Sequence, residues 1–148
     1  VLVADVRLDN RDELISALGS DDAALRRDCD AGILMACLER WGDGALDRVV
    51  GDFAFALWDS HQHRLTLARD FLGQRPLHFY CGKSFFAAAT MAKGLHALAD
   101  VPYGPDEQAV AEFVALLPQS GPASFFRDIQ RVEQGQIVSP AILAAATA

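Results

Sequence analysis

The stretch Gly51-Asp-Phe-Ala-Phe-Ala-Leu-Trp-Asp59 limits the fold of this chain more than any other. Phe53, Phe55 and Leu57 alternate with Ala54, Ala56 and Trp58. Successive side chains of a strand point to opposite faces, so both faces here are apolar. Such a strand needs a packed layer on each side. Polar Ser60 to His63 then makes a turn. Arg64 to Arg69 forms a second strand, with Leu65 and Leu67 on one face, and the two read as an antiparallel hairpin.

The remaining elements group around that hairpin. Val1 to Leu8 reads as a strand. Asn10 and Glu13 stand at capping-box spacing before a helix from Arg11 to Leu18, which Gly19 ends. Ser20 or Asp21 can cap a further piece running to Arg27. From Asp30 to Trp41, the residues Ile33, Leu34, Cys37, Leu38 and Trp41 share one helical face, and Gly42 stops the helix. Asp43 to Val50 is partly helical. Asp70 to Pro76 is a loop. Leu77 to Cys81 and Ser84 to Ala88 are strands around a Gly82-Lys83 turn. Thr90 can cap a helix from Met91 to Leu98, and Pro105 opens another from Asp106 to Leu117. Val110, Phe113, Val114 and Leu117 fit the inner face of that helix. Phe125-Phe126 and Ile129 to Val132 are short apolar runs, and Gln136 to Ser139 is a last edge strand. Antiparallel strands with helices grouped before and after them give an α+β fold.

The 148 residues suffice for one domain with a core, and a 51% apolar, 22% charged composition is that of a globular chain. A net charge of −7 argues against nucleic acid and against an anionic membrane surface as partners, since both need clustered Lys and Arg. No apolar run reaches membrane-spanning length. Cys29, Cys37 and Cys81 form no CxxC pair or disulfide framework, which points to a reducing, cytoplasmic setting.

Three ordered stretches resemble the glutaminase domain of the asparagine synthetase family, the class II glutamine amidotransferases. The first is Asp30-Ala-Gly-Ile-Leu-Met-Ala-Cys-Leu-Glu-Arg-Trp-Gly42. The second is Gly51 to Asp59, close to the family's Gly-Met-Phe-Ala-Phe-Ala-Leu-Trp/Tyr-Asp. The third is Ala68-Arg-Asp-Phe-Leu-Gly-Gln-Arg-Pro-Leu77, matching Ala-Arg-Asp-x-x-Gly-x-Lys/Arg-Pro-Leu. Weaker echoes run from Phe86 to Leu98 and from Phe125 to Gln136. The resemblance covers Leu2 to Val138 and implies the four-layer αββα sandwich of N-terminal-nucleophile hydrolases. Val1 to Asp5 opens like the middle of a strand without an initiator methionine, and Ala141 to Ala148 carries little information. The expectation is a glutaminase-like domain over 1–139, N-terminally incomplete, with 140–148 a tail or the start of a linker to a synthetase domain.

The resemblance assigns chemistry residue by residue. The family nucleophile is an N-terminal cysteine whose own α-amino group is the base. Val1 stands first here, and Cys29, Cys37 and Cys81 carry no free α-amino group, so no catalytic residue is assigned. The family's early strands and the arginine that binds the glutamine carboxylate would precede Val1. Alignment through Asn10 and Leu14 places Asp5 and Val6 on the Asn-Gly pair of the oxyanion hole; a one-residue shift is the alternative. An ionised Asp5 accepts hydrogen bonds and donates none. Val6 adds a side chain where close backbone approach is wanted. Asp30 falls on the aspartate that holds the glutamine amino group, and it is equally read as a helix N-cap. Gly32 replaces a usual glutamate. Arg69 and Asp70 read as a turn brace around Gly73 and Pro76, with the wall of a substrate pocket or of a domain interface as the other reading.

Other clusters have plainer explanations. His61 and His63 lie in a turn without further ligands nearby, so no metal is expected. Trp58, Phe53 and Phe55 are core and not a stacking platform. Asp21, Asp22, Asp28 and Asp30 lack the calcium-loop pattern.

The resemblance implies a parent enzyme that adenylates a carboxylate and attacks it with an amine. ATP and Mg are then expected in the absent synthetase domain, and no cofactor in this one. Asp5-Val6 favours a degenerate variant, as in β-lactam synthetases and lasso-peptide cyclases, in which the substrate supplies the amine. An active glutaminase missing its first strands is the alternative, and a free-standing binding module is the reading from another class. Expected partners are the synthetase domain and glutamine or another small-molecule or peptide substrate, with a homodimer left open.

Overall fold

The computed structural model describes residues 1–19, 23–118 and 121–139. The proposed caps at Ser20 and Asp21, and the segment 140–148, lie outside them. Strand β1 (Leu2–Leu8) leads into helices α1 (Arg11–Ala17), α2 (Ala23–Arg27) and α3 (Asp30–Trp41). A 3-10 turn follows at Gly42–Ala45, then β2 (Gly51–Asp59), β3 (Arg64–Arg69), β4 (His78–Cys81) and β5 (Phe86–Ala89). Helices α4 (Ala92–Leu95) and α5 (Glu107–Val114) precede β6 (Ile129–Arg131) and β7 (Ile137–Val138). Two antiparallel sheets result, ordered β1-β2-β3-β7 and β5-β4-β6.

The two-faced strand is covered on both sides. Phe53 and Phe55 of β2 pack with Ile33, Leu34 and Cys37 of α3 and Leu14 and Ile15 of α1. On the other face, Ala54 of β2 and Leu67 of β3 meet Phe79 of β4, with Leu77 just before that strand and Val132 just after β6. The second sheet's far face carries Tyr80 and Ala87 against Ala92 and Leu95 of α4. The order is therefore helices, sheet, sheet, helix, an α+β arrangement. Alanines on the sheet-facing side of β2 let the sheets approach, while phenylalanines fill the deeper helix side. Burying one such Phe contributes about 1.5–3 kcal/mol.

Helix starts depart from the sequence expectation. Asn10 is the N-cap of α1 but makes no capping bond. Its amide donates to Arg48 O (2.8 Å) and its Oδ1 accepts from Val50 N (3.0 Å), tying α1 to the approach of β2. Met91 and not Thr90 precedes α4, which is shorter than expected. Cys29 caps α3, and Asp30 is its first helical residue. At α5 the expectation holds one residue further on than Pro105, with Asp106 Oδ1 accepting from Ala109 N (3.0 Å).

The largest correction concerns α5. Val110, Phe113, Val114 and Leu117 do not face inward; they are 38%, 58%, 74% and 56% exposed. Spacing shows that a helix has an apolar face, not what covers it. Phe125 meets this face, edge-on to Phe113 at 5.2 Å between centroids. Val114→Glu should therefore change unfolding stability by no more than about 0.5 kcal/mol, as at other surface positions. A urea-midpoint shift worth several times that would place Val114 in a core.

Candidate amidotransferase site

The three sequence-singled residues come together along one edge of the first sheet. Asp9 N donates to Val50 O and Trp58 N to Val1 O, both at 2.8 Å. These bonds, with the β1–β2 register, make the odd residues of β1 the hydrogen-bonded partners of β2. The amide of Val6 consequently points away from β2, to the strand's outer edge. On the same edge, two residues on, Leu8 N donates to Asp30 Oδ2 at 2.8 Å. From Asp5 to Leu8 is about 10 Å of strand. Asp5, the Val6 amide and the Asp30 carboxylate thus lie within the span of a small ligand.

Asp5 projects from the exposed face of β1, and Arg75 Nη1 lies 3.3 Å from its Oδ1. The pair is over a third exposed, so it contributes at most about 1 kcal/mol. Val6 points the opposite way, into the helix-side core beside Leu2, Ala4 and Leu8. Its side chain therefore does not crowd the face that carries Asp5.

Asp30 is not the N-cap of α3, and its carboxylate is held by groups of other elements. Its Oδ1 accepts from Arg11 Nη1 at 2.6 Å, and Arg11 Nη2 donates to Arg26 O at 3.0 Å. Asp30 thereby fixes the start of α3 against the end of β1. Each carboxylate oxygen keeps a lone pair for one more donor. Sequence reasoning missed both arginines. Arg75 was visible within the Gly-x-Arg-Pro-Leu motif, but its reach to β1 was not.

Arg69 and Asp70 brace the following loop, each through backbone groups and not through each other. Arg69 donates to Arg75 O (2.7 Å), Val132 O (2.9 Å) and Gly73 O (2.5 Å). Asp70, 2% exposed, accepts from Gln74 N (2.9 Å) and Arg75 N (3.1 Å). Arg75 is thus aimed at Asp5 by a rigid loop.

The cysteines occupy unrelated places. Cys37 is fully buried, and burial pushes its thiol pKa up, away from the thiolate a nucleophile needs. Cys29 and Cys81 are exposed. His61 and His63 lie at an exposed hairpin tip, where Asp59 Oδ1 accepts from His61 N and Gln62 N. Among the described residues, no group of three or more His, Cys, Asp and Glu is arranged to hold a metal, and no helix is long and apolar enough to cross a membrane.

The surroundings of His78 disfavour its protonated form. Burial lowers its pKa, and the charges of Arg131 and Arg69 lower it further against a bond to Thr90 O. The unfolded chain then binds the proton more readily than the folded one. The stabilisation is complete above the unfolded value, about 6.5, and is lost as pH falls through the lower folded value. His78→Asn should flatten the stability profile below about pH 6.5; an unchanged acid slope would contradict this.

Residues 1–146 match the family model described as a glutamine amidotransferase domain. The chain belongs to that family. A Mycobacterium bovis protein that carries an asparagine synthetase (glutamine-hydrolyzing) name is 33% identical over 131 residues, 86% of this chain and 20% of that protein. Asparagine synthetase (glutamine-hydrolyzing) 3 of Bacillus subtilis is 27% identical over 124 residues, 83% of this chain and 20% of that protein. The chain spans about a fifth of the length of these curated relatives.

Proposed function

We propose that this chain is the amidotransferase-type domain of an ATP-dependent, amide-forming enzyme related to asparagine synthetases, with glutamine hydrolysis weakened or lost. The carrying observation is Asp5. On the family resemblance it stands where the family has an asparagine donor, and it lies 3.3 Å from Arg75. A carboxylate cannot donate to the oxyanion that forms when a thiolate adds to the glutamine amide. Losing one such donor costs about 10²–10³ in rate, roughly 3–4 kcal/mol. The Val6 amide, directed to the strand edge, remains a second donor.

In this reading the fold is the αββα sandwich of N-terminal-nucleophile hydrolases, supported by the helix–sheet–sheet–helix order. The glutaminase-like unit ends near residue 139, and 140–148 leads toward a synthetase domain. ATP and Mg belong to that second domain, and no residue here is given a part in binding them. The exposed apolar face of α5 is the surface we assign to contact with it. The cysteine pattern supports a cytoplasmic enzyme. Asp30, with a free lone pair on each oxygen, remains the group for a substrate ammonium, whether of glutamine or of a peptide or small-molecule amine.

The second reading is an active glutaminase, favoured by the glutamine-hydrolyzing names of the relatives. Asp5→Asn with Val6→Gly separates the two in the full-length protein. Restoring the oxyanion donor should raise the rate of glutamate release from glutamine by about 10²–10³-fold. An unchanged rate would sink the role given to Asp5.

A further inference from the structure

We propose a second ligand site, in the cleft between β4, α4 and the 121–126 segment, for a carboxylate carried on an aromatic or apolar body. The cleft has a volume of about 470 Å³, within the range of small-molecule sites. Arg69, His78, Lys93 and Arg131 line it, and among the described residues no aspartate or glutamate does. That lining stands out in a chain with 20 acidic and 13 basic residues. Met91, Phe125 and Phe126 supply apolar walls. None of Asp5, Val6 or Asp30 takes part. The site therefore stands or falls independently of the amidotransferase reading.

The cations have different tasks. Arg69 commits three of its five N–H donors to carbonyls, which fix its guanidinium in the cleft wall. Arg131 donates to Gly121 O at 3.0 Å and holds the 121–126 segment over the cleft. Lys93, on the rim in α4, has no ion-pair partner among the described residues, so its ammonium is available to a ligand. His78 Nδ1 sits 3.2 Å from Thr90 O. A carbonyl only accepts, so Nδ1 carries the hydrogen and Nε2 is left as the reporter atom. The lowered pKa of His78 agrees with its burial and with the charges of Arg131 and Arg69 beside it. A carboxylate paired with Lys93 would offset those charges, while Phe125 and Phe126 take its apolar body out of water. An inorganic anion would gain the first term and forgo the second.

The test is a titration of the full-length protein, ¹⁵N-labelled at histidine, with 3-phenylpropionate. The expected result is saturable movement of the His78 ring resonances, with a Kd on the order of millimolar for so small a ligand, and a rise in the His78 pKa. Acetate and inorganic phosphate at equal concentration should bind at least about tenfold more weakly, and Lys93→Gln and Phe125→Ala should each weaken phenylpropionate binding by about tenfold. Lys93 and Phe125 are surface-accessible, so both variants should fold. A short peptide ending in phenylalanine, with a free or an amidated C-terminus, separates the two sources of such a carboxylate. Binding of the free form alone assigns a chain end; binding of phenylpropionate but of neither peptide assigns a free acid. No movement of His78 would overturn the proposal, as would acetate or phosphate matching phenylpropionate, or affinities unchanged in both variants.

Discussion

Gly51→Ala is expected to destabilise the domain by about 3–5 kcal/mol, a positive-φ penalty added to an overpacking one. Gly51 opens β2 with φ of +149°, a conformation that residues with a side chain rarely adopt. A Cβ built there would lie 2.0 Å from Arg7 O and 3.2 Å from Leu8 Cα. Both are backbone atoms of β1, so neither can swing aside as a side-chain end would. The strand would have to move, breaking the register that sets Leu8 opposite Gly51 and the bond from Asp9 N to Val50 O. Leu8 would leave the helix-side core, and the edge carrying Asp5, Val6 and the Leu8–Asp30 bond would be lost with it. Gly44, where an added Cβ meets nothing within 4 Å, is the matched control. Its alanine variant should unfold within about 0.5 kcal/mol of the parent. Urea unfolding followed by circular dichroism measures both; similar midpoints for the two variants would contradict the close approach of β1.

Arg69→Met is expected to cost about 3–5 kcal/mol, the penalty for breaking a partly buried charged network. The guanidinium joins three chain segments by donating to Gly73 O, Arg75 O and Val132 O. Methionine keeps the aliphatic packing and removes every donor. Charge-assisted bonds contribute about 1.5–3 kcal/mol each, less where the carbonyl can turn to water. Val132 is fully buried, so its carbonyl has the least access to a substitute. Lysine should recover only part of the loss, because one ammonium cannot span three carbonyls as a planar fork does. If Arg69→Lys were as stable as the parent, the three-way brace would be wrong. Loosening the loop should also release Arg75 from Asp5, an effect visible at the site even where the fold survives.

Much of the architecture was legible because it depends on periodicity. Ile33, Leu34, Cys37 and Leu38 share a helical face, and α3 spans the expected Asp30–Trp41. Alternation in Gly51–Asp59 required two covering layers, and both are present. The family resemblance rested on the same stretches and is matched over residues 1–146. What failed depends on neighbours distant in sequence. The outward face of α5 has the same spacing as a buried one. Asn10 and Asp30 look like caps because such residues often are, yet each is drawn to groups on another element, Arg48 and Val50 for Asn10 and Leu8 and Arg11 for Asp30. Asp5 and Arg75 are 70 positions apart, and only the packing of the 70–76 loop over β1 brings them together.

The most direct test of the account is the stoichiometry of the full-length enzyme supplied with ATP, Mg, its carboxylate substrate and glutamine. Glutamate released is counted against amide bonds formed. The account expects amide formation to proceed with far less than one glutamate per bond, and glutamine hydrolysis at least about a hundredfold below that of an ordinary relative. One glutamate per amide bond, at a relative's rate, would contradict it and make Asp5 a working part of an active glutaminase.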